Sequence, residues 1–122
     1  MGQMMKNGLL IDEQGARHWF QNGQLHRTDG PAIERASGDR YWYLDGKKHR
    51  TDGPAIERAS GERRWYQNGL RHRTDGPAIE YTNGERSWYL NETEYSFEKY
   101  VNKIYPGDCP KKTLFILKWS SR

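Results

Sequence analysis

The sequence predicts a mostly β protein: a single-layer array of antiparallel β-hairpins, closed by a C-terminal helix and a final strand. Three observations carry this expectation. Tryptophans 19, 42, 65 and 88 keep a spacing of 23 residues. The string HRTDGPAIE begins at His26, at His49 and again at His72. A W-[FY]-x-[ND]-G turn precedes each copy, and a G-[DE]-R return follows it. Self-similarity at this period marks a stacked array in which each unit leans on its neighbours.

Composition agrees with a thin sheet. In 122 residues, 34% are hydrophobic and 30% charged, too polar for a thick two-layer core, yet the apolar mass includes five Trp, eight Tyr and three Phe. Such large flat groups bury much area per residue. One domain is expected, with residues 1–8 as an extension, 9–95 as repeats and 96–122 as a C-terminal cap. Cys109 is the single cysteine, so no internal disulfide forms. The longest aliphatic-aromatic run, Leu114 to Leu117, is far too short to span a bilayer. Met1 to Ile11 lacks a signal-peptide apolar stretch, and Lys6 stands where myristoylation favours Ser or Thr. A soluble, cytoplasmic protein is expected.

The elements follow in chain order. Leu9 to Trp19 reads as a degenerate first hairpin, one residue shorter than its successors. In the central unit, Ala55 to Tyr66 is a β-rich run broken by Ser60-Gly61, suited to a two-residue loop. That loop would set Arg58 opposite Arg63, Glu57 opposite Arg64 and Ile56 opposite Trp65. Asn68-Gly69 is the strongest short hairpin signal, because both central residues of a type I′ turn need positive φ. It places Tyr66 opposite Arg71 and Trp65 opposite His72. Ile56, Trp65 and His72 would then share a face with Ile33, Trp42 and His49, and with Ile79, Trp88 and Tyr95, as one aromatic spine that Trp19 and His26 begin.

In the connector, Gly30, Gly53 and Gly76 are expected to supply flexible φ before Pro31, Pro54 and Pro77. The Thr-Asp pairs, such as Thr28-Asp29, are expected to accept from local amides. Each histidine is expected to donate to its connector aspartate and lie against tryptophan. After Trp88 the pattern changes: Glu92 replaces the turn glycine and Tyr95-Ser96 replaces His-Arg. Ser96 reads as an N-cap for a helix over 97–104, since Phe97, Tyr100, Val101 and Ile104 fall at i, i+3, i+4 and i+7. Pro106-Gly107 closes it. Thr113 to Trp119 reads as one more strand, over 113–119.

Catalysis is not expected. A stacking residue recurs once per unit, whereas a tuned site needs one special constellation, and no serine or cysteine nucleophile accompanies the His-Asp-Thr cluster. No P-loop, GxGxxG, HExxH or CxxC pattern is present. Equivalent histidines in adjacent units stand roughly 9 to 10 Å apart, too far to share a zinc ion reached at about 2.1 Å. No cofactor and no metal is therefore expected.

Binding is the remaining class. A net charge of +4 permits an acidic partner. Arg35 opposite Arg40, Arg58 opposite Arg63, and Arg86 opposite Tyr81 would form a row of like charge that invites an anion. Arg27, Arg50 and Arg73, next to histidines and flat rings, suit phosphate and base stacking. The alternative is that these arginines cover the tryptophans with their stems and pair with neighbouring carboxylates.

The 23-residue W-x-x-[ND]-G-x-x-H period resembles MORN repeats, and HRTDGPAIE looks like the divergent MORN-like arrays of tailed phages and giant viruses. The resemblance covers roughly residues 9 to 104. It implies a one-layer run of hairpins serving as a binding scaffold. Three functions are open: an accessory module that binds a host or viral protein and inhibits a host system, a nucleotide or nucleic-acid sponge, and a structural virion component. The open sheet edge leaves room for a homodimer.

Overall fold

The computed structural model describes residues 6–120, so the first five residues of the expected 1–8 extension lie outside it. A ten-stranded antiparallel sheet dominates. It begins with β1 (Gly8–Ile11), β2 (Arg17–Gln21) and β3 (Gln24–Leu25). The next two units each contribute four short strands: β4 (Ile33–Glu34), β5 (Arg40–Tyr41), β6 (Tyr43–Leu44) and β7 (Lys47–Lys48), then β8 (Ile56–Glu57), β9 (Arg63–Arg64), β10 (Tyr66–Gln67) and β11 (Leu70–Arg71). The last unit holds β12 (Ile79–Glu80), β13 (Arg86–Leu90) and β14 (Thr93–Tyr95). Along the sheet the order is β1-β2-β4-β5-β8-β9-β12-β13-β14. β6-β7 and β10-β11 form separate two-stranded ribbons beyond the Trp42 and Trp65 bends.

The Asn-Gly and Asp-Gly turns form as the sequence requires. Asn22, Asp45 and Asn68 have φ of 53°, 50° and 51°, and the following glycines 77°, 80° and 82°. Tyr66 faces Arg71, and the His72 amide donates to the Trp65 carbonyl at 3.1 Å. Trp88 faces Tyr95.

The other turn is longer by one residue than expected. The Arg58 amide donates to the Glu62 carbonyl (3.0 Å), leaving Ala59, Ser60 and Gly61 as a three-residue loop with Gly61 at φ 104°. A type I turn followed by a left-handed glycine suits a three-residue hairpin loop. A one-residue slip exchanges every cross-strand pair. Ile56 therefore faces Arg64, Glu57 faces Arg63, and the expected Ile56–Trp65 and Arg58–Arg63 pairs do not form. Arg35 likewise stands opposite Asp39, and Tyr81 opposite Glu85. In place of like charges, one row alternates: Arg17, Glu34, Arg40, Glu57, Arg63, Glu80 and Arg86 follow one another strand by strand. The single Ile-Trp-His spine is also replaced. The Trp65 amide donates to Ala78 of the next unit (2.7 Å), while Ala32, Ile33, Ala55, Ile56, Ala78 and Ile79 form the buried row.

The C-terminal cap has two helices. In α1 (Phe97–Ile104) the Ser96 hydroxyl accepts from the Lys99 amide at 3.2 Å, as the sequence indicates. The expected strand 113–119 is instead helix α2 (Pro110–Ser120). Pro110 occupies the first helical position, where its missing N–H costs nothing, and Phe115 and Trp119 fall at i, i+4 on one face. Phe115 is buried there, in contact with Trp88, Tyr100 and Val101. No helix among the described residues is long and apolar enough to cross a membrane.

Candidate functional site

The connectors build a repeated layered unit. The Arg27, Arg50 and Arg73 guanidiniums lie 3.8, 3.8 and 3.7 Å from the ring centres of Trp19, Trp42 and Trp65. Each Nε donates to the aspartate two residues on, Asp29, Asp52 or Asp75, at 2.8 Å. Each NH1 donates to the following proline carbonyl at 3.1 or 3.2 Å. NH1 also meets Glu34 at 3.6 Å in the first unit, and Glu57 and Glu80 at 3.0 Å in the next two. The glycine closes the other face: a Cβ at Gly30, Gly53 or Gly76 would lie 3.0, 2.9 or 2.6 Å from the guanidinium carbon. None of the three has positive φ. The connector glycine is thus required for close approach, which corrects the expectation of conformational freedom.

The connector aspartates serve these arginines and not the histidines. Hydrogen bonding and charge from Arg27 hold the Asp29 carboxyl below the usual carboxylate range, and Arg50 does the same to Asp52. The histidines reach forward into the next unit. His26 Nδ1 accepts from the Asp45 amide (2.9 Å), His49 from Asn68 (3.0 Å) and His72 from Asn91 (2.9 Å). With Nδ1 accepting, the neutral ring carries its proton on Nε2. Each ring ties one unit to the positive-φ turn of the next.

This tie predicts a pH response. Burial lowers the His72 pKa below 6.5, so between the two pKa values the unfolded chain binds protons better than the folded one. Stability is then complete above about pH 6.5 and declines as pH falls toward the folded-state pKa. Asp12, Asp29, Asp52 and Glu92 also have lowered pKa values, held down by hydrogen bonds from His18, Arg27, Arg50 and Arg71 respectively. Their contributions are present above about pH 4 and lost below it. Acidification is expected to lower the melting temperature in two stages, and His72→Gln to flatten the first, read by circular dichroism melts from pH 8 to 3.

The remaining candidate arginines are also engaged. Arg40 pairs with Glu57 at 3.8 Å and Arg63 with Glu80 at 3.9 Å. Arg58 donates to the Tyr41 hydroxyl (3.1 Å) and meets Glu62 at 3.5 Å. Arg35 lies over the Tyr41 ring, and Arg86 donates to the Trp119 carbonyl at 2.6 Å. The structure does not gather these groups into one anion site.

Successive connectors instead enclose two equivalent grooves. The first, about 640 Å³, runs between Thr28-Asp29 and Thr51-Asp52 over Trp42 and His49. The second, about 410 Å³, runs between Thr51-Asp52 and Thr74-Asp75 over Trp65 and His72. No family model, curated protein or solved structure matches the chain. The chemistry of the grooves must therefore be read from their walls. Their arginine side chains are only 14 to 21% exposed, whereas the aspartates are 82 to 84% exposed. Free carboxylate oxygens and threonine hydroxyls line the rims, and aromatic rings line the floors. Among the described residues no group of three or more His, Cys, Asp or Glu is placed to hold a metal ion. From the sequence, the Thr-Asp pairs are expected to serve only as local turn residues. Their recurrence at one period on both sides of the Trp42-His49 and Trp65-His72 pairs is the signal that marks them as groove rims.

Proposed function

We propose that this chain is a MORN-like, non-catalytic binding module that holds an extended, polar to basic segment of a protein partner in its connector grooves. A host or viral protein is the class of partner that the repeat's resemblance suggests. One observation carries the reading: a groove recurs between each pair of successive connectors, and the groove arginines are already committed to tryptophan and carboxylates. An incoming phosphate would have to displace Asp29, Asp52 or Asp75, whereas a lysine, an arginine or a peptide N–H finds those exposed oxygens open. Fixed walls favour binding because little ordering remains to be done.

The test pairs two screens. Extended basic peptides are expected to bind in fluorescence polarisation, with about tenfold loss for Asp52→Asn combined with Asp75→Asn. Nucleotides, cyclic oligonucleotides, single-stranded DNA and inositol phosphates are expected to leave the melting temperature unchanged at physiological salt. A ligand at about 100 times its dissociation constant would add roughly 2.7 kcal/mol, which a melt resolves easily. A shift with any phosphorylated ligand, abolished by Arg50→Ala with Arg73→Ala, would move the assignment to sequestration of an anion.

A further inference from the structure

The two ends of the array are finished differently. At the C-terminal end Trp88 is 7% exposed beneath α1 and α2. At the N-terminal end β1 lies open: Gly8, Leu9, Leu10 and Ile11 are all exposed, and the three apolar residues are 44, 42 and 58% exposed. Among the described residues, β2 is the only strand that pairs with β1. An exposed apolar edge strand without a charge is the feature that proteins ordinarily avoid, because its free N–H and C=O groups template pairing.

The hydrogen-bond phase shows which groups are free. The Asp12 amide donates to the Ala16 carbonyl at 3.0 Å, and Leu10 faces His18 in the same register. Hydrogen-bonded and non-bonded pairs alternate along an antiparallel ladder. Gly8 and Leu10 therefore bond inward to β2, as Asp12 does to Ala16 just before it. The Trp19 amide, opposite Leu9, donates the other way, to Ala32 in the next unit (2.8 Å). Leu9 and Ile11 are left to present their backbone groups outward.

We infer that the outer edge of β1 is the interface of a symmetric dimer, in which two copies pair β1 antiparallel about Leu9 and continue one sheet across the twofold axis. Three features select a second copy as the occupant. The strand is self-complementary, so Leu9 meets Leu9 of the other copy and both exchange backbone bonds. Its ends carry opposite charge: Lys6 precedes it, and Asp12 and Glu13 follow it. Antiparallel pairing brings each basic end beside the other copy's acidic end, whereas parallel pairing would bring like ends together. The third feature is the sheet itself, which already adds strand pairs of this kind at every unit. β1 repeats the edge that β2 offers to β4 and β5 offers to β8. An isologous pair closes the array, because each edge is used once and no further copy can add.

The test is sedimentation of the full chain across a concentration series, with variants that separate pairing from folding. Leu9→Pro removes an N–H that points outward, so the β1–β2 ladder survives while the dimer constant weakens at least tenfold. Ile11→Lys places a charge on the edge and has the same effect. Lys6→Glu puts like charge beside Asp12 and Glu13 of the other copy and weakens the dimer severalfold. Each variant is checked by its melt, which stays near that of the wild type at a concentration where both are monomeric. A wild-type chain that sediments as a monomer at several hundred micromolar overturns the inference. So does a dimer that Leu9→Pro leaves intact but Leu114→Lys, on the exposed face of α2, abolishes.

Discussion

Trp88→Ala is expected to release both C-terminal helices from the sheet. The Trp88 ring meets Phe97 and Tyr100 at 4.9 Å, Trp119 at 5.8 Å and Phe115 at 6.2 Å between centres, so α1 and α2 lean on the same side chain. Deleting a buried tryptophan costs about 3–5 kcal/mol, through lost transfer energy and the cavity left behind. The consequence is local in an array, where each unit contacts only its neighbours. Neither helix persists alone: they have 8 and 11 residues, and isolated helices below about 12–15 residues are marginal in water. Hydrogen exchange should show residues 97–120 losing protection while the first two units keep theirs, and the far-ultraviolet helical signal should fall. Trp42→Ala is the control. Its ring is only half-buried and is covered by Arg50 rather than by a helix pair, so the loss should be smaller and should leave the helical signal intact. Protection retained over 97–120 in Trp88→Ala would show that the cap is held elsewhere, through the Tyr100 hydroxyl to the Arg73 and Gly76 carbonyls at 2.5 and 3.0 Å.

What could be read from the sequence divides along a physical line. Features set by one residue's own backbone preference were legible: the positive-φ Asn-Gly and Asp-Gly turns, the Ser96 cap and the α1 stripe all form where the residues indicate. Features set by counting one residue more or less were not. Ala59-Ser60-Gly61 and Ser60-Gly61 both satisfy a hairpin, and only the longer loop gives the alternating row from Arg17 to Arg86. The clue lay in the result: a register that stacks Arg58 on Arg63 is electrostatically poor, and the slip that relieves it pairs Arg63 with Glu57 and Glu80. A short apolar run such as Leu114 to Leu117 does not distinguish strand from buried helix by periodicity alone. There the decisive signals were Pro110 at a helix start and the i, i+4 pair Phe115 and Trp119. The candidate site was half legible. Arginine covering tryptophan and pairing with carboxylates was one of the two readings that the composition allowed. The grooves depend on how successive connectors stack, which no single copy of HRTDGP encodes.

The connector's layered packing yields the second large effect, expected at Gly76→Ala. Alanine ordinarily stabilises a site whose φ it can adopt, by about 0.4–1 kcal/mol, because the unfolded chain loses freedom. Gly76 lacks positive φ, so backbone strain does not oppose the change. Space does: the new Cβ would sit 2.6 Å from the Arg73 guanidinium carbon. A flexible arginine tip would normally swing away, but this one is held by the Trp65 ring, Asp75, the Pro77 carbonyl and Glu80. The backbone is tied as well, since the Tyr100 hydroxyl shares its one proton between the Arg73 and Gly76 carbonyls within the connector. Expelling the guanidinium forfeits its stacking, worth about 0.5–2 kcal/mol, and leaves the Pro77 carbonyl without its donor, at about 1–3 kcal/mol. The expected loss is about 2–3 kcal/mol in thermal or denaturant melts. In an Arg73→Ala background the obstacle is gone, and Gly76→Ala should become neutral or slightly stabilising. Such a change of sign is a coupling that only groups in contact produce. The three units also supply a graded series, since the same Cβ would approach Arg50 to 2.9 Å at Gly53 and Arg27 to 3.0 Å at Gly30. Losses should fall in the order Gly76, Gly53, Gly30. Equal losses at all three, or a penalty that survives removal of Arg73, would mean that the glycine answers to the backbone and not to the guanidinium lying against it.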